Sequence, residues 1–430
     1  MKRLQATLLL SLLALLVACG GEEAPADTPL PTQPPGAAPT TAAVPPTLPP
    51  PVVNAPETTD PAVSDLAPEA APAVWPADRF GYGIQIHGDA TYGNQPEVAN
   101  IVANQLGLSW VKMQIRWDQV HPSPDADQWF FYDATLEEMD RAGLYIMVSV
   151  LDAPDWARTV FGPEGQEGPP DDYGLYVAFL NEVLQRHGDK IDAIEVWNEQ
   201  NLDREWTSAN GVNAADYVEL LRQSYAAIKA THPNIIVISG ALSPTGVNIP
   251  GTVQDDFLYL DDAIAAGMLD HADCVGAHHN GINLPPDVPF DQTGSLPQAA
   301  TATFRGPFDN PDHSWSFYTT LTTYAQKVQA VRPEMKLCVT EFGWASAVDY
   351  GEAVAGFGFA LDNTVEEQAD YIVRAYQQMR SSGSVWLTFL FNFDYGNKVE
   401  PTSDTVAYSI IDRSGVPRPA FGAIADMPKE

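Results

Sequence analysis

From about residue 80 onward the apolar positions alternate between two patterns. Short apolar runs end abruptly in polar residues, and between them apolar residues recur every three or four positions. Eight runs have strand length: 81–86, 110–115, 145–150, 193–197, 235–239, 274–277, 336–340 and 385–391. Runs of that length, bounded by turn residues and rich in β-branched and aromatic side chains, predict buried strands. The helical spacing is clearest over 176–184, 217–228 and 365–379, each placed between two strand candidates. One unbroken strand and helix alternation predicts an α/β protein, a single (β/α)8 TIM barrel over residues 77–430. An open doubly wound sheet would show a glycine-rich turn after its first strand, whereas Gly81-Tyr82-Gly83 begins the strand here. The connections 281–314 and 346–363 are long and rich in Gly, Pro and aromatic residues, which suits loops built over an active site.

The first 76 residues follow neither pattern. Lys2 and Arg3 precede an apolar stretch from Leu8 to Val17 that ends Leu16-Val17-Ala18-Cys19. A membrane-spanning helix needs about 20 apolar residues, so residues 1–19 read as a signal peptide, with an uncleaved anchor as the other possibility. The Leu-Val-Ala-Cys ending resembles the bacterial lipobox, which implies that Cys19 is lipid-modified and becomes the mature N-terminus. Residues 20–76 are dominated by Pro, Ala and Thr. They cannot bury enough apolar surface to offset their ordering entropy and read as a disordered, extended linker. The expectation is an exported cell-surface or periplasmic lipoprotein of a bacterium, held to the membrane through a lipid anchor on Cys19.

A formal net charge of -34 excludes a nucleic-acid partner, since a strongly acidic surface repels the phosphate backbone. The two remaining cysteines, Cys274 and Cys338, each fall in an apolar strand-like run and are expected to be small buried thiols, with a disulfide between them as the other possibility.

In a (β/α)8 barrel the C-terminal strand ends converge on one face, where chemistry is done. The fourth strand stops in Trp197-Asn198-Glu199 and the seventh in Thr340-Glu341, so two carboxylates should meet there. Hydrolysis of a glycosidic bond needs such a pair, one to protonate the leaving oxygen and one to meet the oxocarbenium-like centre. Trp156, Trp206, Trp315 and Trp344 follow strands three, four, six and seven; each could stack on a sugar face or pack within a loop, and Trp344 is the foremost candidate. His87 reads either as a sugar contact or as a satisfied strand-end histidine. Glu195 is assigned no role. His278 and His279 are adjacent on a strand and point opposite ways, and no ligand spacing suggests a metal, so neither metal nor cofactor is expected.

Together, Asn198-Glu199 on strand four and Glu341 on strand seven resemble the pattern of retaining clan-A glycoside hydrolases. Trp197-Asn198-Glu199-Gln200-Asn201-Leu202 is similar to the Trp-Asn-Glu-Pro-Asn-Leu of family 39-type members, β-xylosidases and bacterial exopolysaccharide hydrolases among them, and cellulase-like members share the strand-end glutamates. The resemblance runs from about Gly81 to Tyr395. It implies a monomer acting on a carbohydrate, with Glu199 as acid/base and Glu341 as nucleophile, and Glu199 holding its proton the more tightly. It also implies that Asn198 holds a sugar hydroxyl, that Arg116 orients and ionises the nucleophile, and that His278 lies near it. Relatives often read His-Pro-Tyr where this chain has His278-His279-Asn280, and often carry a strand-eight tryptophan where it has Phe391-Asn392. Two alternatives stand beside this reading. One is a non-catalytic carbohydrate-binding lipoprotein; the other is a two-lobed solute-binding lipoprotein, against which the eightfold alternation speaks.

Overall fold

All eight predicted strands form: β1 Gly81–Gln85, β2 Trp110–Arg116, β3 Tyr145–Leu151, β4 Ala193–Val196, β5 Ile236–Ser239, β6 Val275–Gly281, β7 Leu337–Trp344 and β8 Val385–Leu390. This computed structural model describes residues 74–88, 94–163, 165–297 and 313–429. The expected signal peptide, Cys19 and the linker up to residue 73 lie outside the described residues. The strands make one parallel sheet in the order β5-β4-β3-β2-β1-β8-β7-β6. Parallel bridges Ile238–Cys274 and Leu242–Ala277 join its two ends, so the sheet closes as a (β/α)8 barrel.

A helix follows each strand: α1 Gln95–Asn100, α2 Phe130–Arg141, α3 Tyr173–His187, α4 Ala214–Thr231, α5 Asp256–Ala265, α6 Phe317–Val331, α7 Val365–Ser382 and α8 Pro419–Asp426. Their starts are set locally. The Asp172 and Asn213 side chains accept from the first free N–H groups of α3 and α4, and Thr364 with Glu367 forms a capping box on α7. Gly383, at φ 69°, ends α7 in the left-handed conformation that glycine adopts without strain.

Strand residues alternate between two cores. On β2, Val111, Met113 and Ile115 pack outward with the helices, while Trp110 faces the barrel axis. The floor of the barrel is filled by Trp75, Trp110, Met147, Ile236, Ile238, Trp386, Leu387 and Phe389. Trp75 is buried and the Pro76 carbonyl accepts from the Trp386 indole, so the folded part takes in residues expected to end the linker.

Cys274 and Cys338 also lie in this floor, and they form a disulfide with Cα atoms 5.9 Å apart. This corrects the expectation of small buried thiols. The two positions are 64 residues apart in sequence, yet β6 and β7 are neighbours with Val275 opposite Leu337, so like-facing side chains at their starts come within bonding reach.

Two departures from the predicted strands bear on the site. β6 runs on through His278 to Gly281, and β7 continues past Glu341 to Trp344. Between them the register slips: Ala277 pairs with Val339, but His278 pairs with Glu341. The skipped residue is Thr340.

Candidate active site

The turn after β4 is held in a demanding conformation. Trp197 and Glu199 have φ of 76° and 43°, a region in which side-chain-bearing residues cost about 1–3 kcal/mol. The surroundings enforce it. The Glu199 N–H donates to the Ala241 carbonyl at 2.9 Å, the Gln200 amide to Gly240 at 2.7 Å, and the Asn201 amide to Ser243 at 2.8 Å. A Cβ on Gly240 would stand 2.5 Å from the Gln200 side chain and 2.8 Å from the Val196 carbonyl, so that close approach needs glycine. The turn thereby aims Asn198 and Glu199 into the barrel mouth.

Glu341 reaches the same place by way of the slipped register in β7. A bulge turns consecutive side chains toward one face, and here both Thr340 and Glu341 bond to groups inside the barrel. The Thr340 hydroxyl donates to Glu195 at 2.6 Å. Glu341 accepts from the Lys112 ammonium at 3.1 Å, and Lys112 also donates to the Thr340 carbonyl at 3.1 Å and lies 3.6 Å from Glu195. Lys112 and Glu195 are fully buried. Glu195 is further held by the Ser149 hydroxyl at 2.5 Å and the Ala241 N–H at 3.3 Å.

On β6, His278 stands between the two carboxylates. Its Nδ1 lies 3.1 Å from one Glu199 oxygen and 3.9 Å from one Glu341 oxygen. Burial disfavours the imidazolium, but Glu341 and Glu199 outweigh it and raise the histidine above its ordinary value. Those contacts keep the two oxygens within about 7 Å of one another, inside the reach of the roughly 5–5.5 Å pairing of retaining enzymes and short of the wider part of the inverting range. Asn280 donates to Glu341 at 3.4 Å, so an amide now makes a contact where relatives place a tyrosine. His279 faces away, bonded to the Ser314 carbonyl.

Two residues outside any sequence motif complete the picture. In the loop after β4, the Arg204 guanidinium bonds Glu199 at 2.5 Å and approaches Glu205 at 3.5 Å. Burial would raise the Glu199 carboxyl, but Arg204 and His278 overcome it and lower it to about 2. Glu205 moves the other way: burial, with the nearby charge of Glu199, raises it to about 7 against the pull of Arg204. In this conformation the Arg204 ion pair works against Glu199 holding a proton, an effect that no strand motif in the sequence marks.

Arg116 is a second correction. Its guanidinium lies 2.9 Å from Asp152, 3.3 Å from Glu167 and 3.6 Å from Asp118, and it does not contact Glu341. The cation on the proposed nucleophile is Lys112, two turns of the pleat earlier on the same strand and facing the axis. Trp344 is a third. Its side chain is buried against Phe317 of α6 and Tyr371 of α7 and donates to the Leu284 carbonyl at 2.8 Å, because β7 runs on and turns it outward. Trp156 donates to the His121 carbonyl, Trp206 packs on Trp197, and Trp315 is buried in the loop cluster. His87 packs its ring on Tyr395, 4.7 Å between centroids, behind the wall of the site.

The site opens as a cavity of about 410 Å³, lined among others by Gln85, Asn198, Glu199, Arg204, Glu205, His278, Asn280, Glu341, Phe391, Tyr395 and Tyr408. Its aromatic wall comes from Phe357, Phe391, Tyr395 and Tyr408, not from any of the four tryptophans. Four of its buried polar atoms, Gln85 Oε1, Asn198 Oδ1, His278 Nε2 and Asn280 Oδ1, have no hydrogen-bond partner among the described residues. Buried polar groups are rarely left so, and four of them in residues that line one cavity suit a ligand rich in donors and acceptors. A separate cluster, Asp255, Asp256 and His313, has ligand atoms close enough for a metal. The Asp256 oxygens are already engaged by the Thr245 N–H, the Tyr324 hydroxyl and His313.

No protein-family model matches the sequence, and no curated protein matches it. Solved structures do share its fold. A family 39 glycoside hydrolase from Bacteroides cellulosilyticus WH2 aligns at a TM-score of 0.56 and 19% identity, covering 83% of this chain and 64% of its own. A monomeric β-xylosidase from Caulobacter crescentus CB15 aligns at 0.54 and 18%, covering 83% and 69%. A glucosidase from Croceicoccus marinus aligns at 0.54 and 13%, covering 83% and 67%. The chain spans about two thirds of the length of these enzymes, and over that span it shares their (β/α)8 fold.

Proposed function

We propose that the protein is a retaining O-glycoside hydrolase acting on a polysaccharide or oligosaccharide, with Glu341 as nucleophile and Glu199 as acid/base. One observation carries this reading: two carboxylates from β7 and from the turn after β4 share one cavity and are bridged by His278. In the first step a Glu341 oxygen attacks the anomeric carbon, the glycosidic C–O bond breaks, and the leaving oxygen takes the proton of Glu199. In the second, water attacks the same carbon, gives its proton to the Glu199 carboxylate and frees Glu341. Lys112, with Asn280, keeps Glu341 aimed and compensates its charge. Asn198 and Gln85 offer unpartnered oxygens to sugar hydroxyls, and Phe391, Tyr395 and Tyr408 offer rings to the apolar face of the sugar. The acidic composition, the leader ending at Cys19 and the linker after it support an exported protein tethered through that cysteine.

The reading is tested by a screen of aryl glycosides and polysaccharides, with the anomer of the first product followed by NMR. Retention is expected. On the substrate found, Glu199→Ala should keep activity where the leaving group is good and gain rate with azide, while Glu341→Ala should be inactive on the same compounds. Equal activity of both variants and the parent would overturn the assignment. A barrel that binds glycans and cleaves none of them would support the non-catalytic alternative, for which the ionised, arginine-bound state of Glu199 speaks.

A further inference from the structure

A general acid must hold a proton when the substrate arrives, yet Glu199 lies in ion-pair contact with Arg204. The same guanidinium stands 3.5 Å from a second carboxyl, Glu205, three bonds further along the loop than its own Cα. The geometry is one cation between two carboxyls. The Arg204 side chain is 54% exposed, while Glu199 and Glu205 are 9% and 20% exposed, so of the three groups the arginine has the most solvent-facing surface. Arg204 also lines the cavity over Glu199, where the leaving half of a glycoside must lie if Glu199 is to protonate it.

We propose that Arg204 is a latch that the leaving half of the substrate turns from Glu199 onto Glu205, so that the one proton the two carboxyls share moves to Glu199 as the substrate binds. The idea rests on the glycosidase reading and deepens it. Charge and protons balance. With the latch on Glu199, that group is a carboxylate and Glu205 is protonated; with the latch on Glu205, Glu205 has released its proton to solvent and Glu199 has taken one up. Two like charges this close to one cation in a buried site cannot both be left uncompensated, so the group the guanidinium leaves is the one that protonates. The directions of the two carboxyls in the present conformation agree with the first of these states.

Other charged groups face the pair and must be counted. His278 from β6 contacts Glu199, with Glu341 of β7 behind it. Asn198 donates to Glu205 at 3.5 Å, Arg116 of β2 acts on Glu205 from further off, and Asp404, in the loop after β8, acts on Arg204. None of these bridges both acids. Arg204 and Glu205 are accordingly positioning residues, acting through Glu199.

The test has a kinetic arm and a titration arm. In the parent, kcat/KM should fall as pH rises through about 7, where the pair loses its proton. In Glu205→Gln that proton is gone and the latch has nowhere to turn. The fall should then move more than two pH units lower, with at least a tenfold loss near neutrality on substrates with poor leaving groups and little change on activated aryl glycosides. Arg204→Gln should restore a protonatable Glu199 and keep the poor substrates, and Arg204→Lys should behave as the parent. An unchanged profile in Glu205→Gln, or equal losses in Glu205→Gln and Arg204→Gln, would overturn the latch. The titration arm needs no turnover: with glutamate δ-carbons labelled, one carboxyl of the full-length parent should titrate near 7 by NMR, vanish in Glu205→Gln, and be joined by a raised Glu199 in Arg204→Gln. If those titrations appear and no glycoside is cleaved, the glycosidase reading fails; if they are absent from an active enzyme, the latch fails.

Discussion

Replacing Lys112 by methionine removes the ammonium and keeps most of the side-chain length, so the perturbation is close to a pure loss of charge. The ammonium lies 3.1 Å from Glu341 and 3.6 Å from Glu195 with no solvent exposure. At an effective dielectric of about 20 each contact is worth roughly 5 kcal/mol before desolvation is counted. Burying the three charges offsets most of that, and the measured cost of breaking such a pair by removing one partner is about 3–5 kcal/mol. The loss does not fall evenly. Glu195 keeps the Ser149 and Thr340 hydroxyls and the Ala241 N–H, all within 3.3 Å. Among the described residues Glu341 keeps the Asn280 amide at 3.4 Å and His278 at 3.9 Å. Lys112→Met should therefore lose about 3–5 kcal/mol in urea unfolding followed by tryptophan fluorescence. It should also lose about a hundredfold or more in kcat/KM, the scale of removing one preorganised electrostatic partner. Adding Glu195→Gln removes the second unpaired carboxylate, so the double variant should recover part of the stability and none of the activity. Unfolding of Lys112→Met at the parent's midpoint, or recovery of rate together with stability in the double variant, would refute this account.

Two further outcomes follow from the corrected residues. Cys274→Ala with Cys338→Ala opens a loop of 64 residues, and chain-entropy reasoning sets the loss at about 4 kcal/mol; the unfolding midpoint of the double variant should match that of the reduced parent, and a midpoint equal to the oxidised parent's would count against a structural disulfide. Trp344→Phe removes the bond to the Leu284 carbonyl from a fully packed site. It should cost about 1–3 kcal/mol of stability and leave KM unchanged, whereas a sugar-stacking residue would show the reverse.

What was legible in the sequence is what a strand pattern can carry. Glu199 and Asn198 could be found because an apolar run broke into polar residues at one point, whereas His278 came only from the resemblance to a known family. Lys112 and Glu195 left a fainter trace: each occupies the polar phase of an alternating strand, Trp110-Lys112-Gln114 against Val111-Met113-Ile115 and Ala193-Glu195 against Ile194-Val196. A charge on the inward phase of two strands, one lysine and one glutamate, is a signal of an internal ion pair that periodicity alone could have raised. Arg204 and Glu205 had no such trace, since a loop has no period. Arg116 was misplaced for a related reason: a strand-end position does not decide which way a long side chain turns, and Asp152 at the end of β3 captures it. The disulfide and the bulge at Thr340 depend on pairing between distant segments, which composition and spacing do not encode.

The ionisable groups of the site form one sequence across the barrel mouth: Glu195, Lys112, Glu341, His278, Glu199, Arg204, Glu205. Each contacts the next, and acid alternates with base throughout. The inner end is rigid, because Lys112 and Glu195 lie on β2 and β4 and are bonded to groups on β3, on β7 and just past β5. The outer end is not, because Arg204 sits on a loop and is half exposed. A charge added or removed at the outer end must be answered somewhere along the row, and Arg204, Glu205 and the proton that Glu205 shares with Glu199 can answer it without disturbing the sheet. That division explains why a barrel would bury an expensive lysine beneath its nucleophile while leaving an arginine loose above its acid. Glu341 has to keep one charge and one aim through both steps, whereas Glu199 has to change its protonation twice in every turnover.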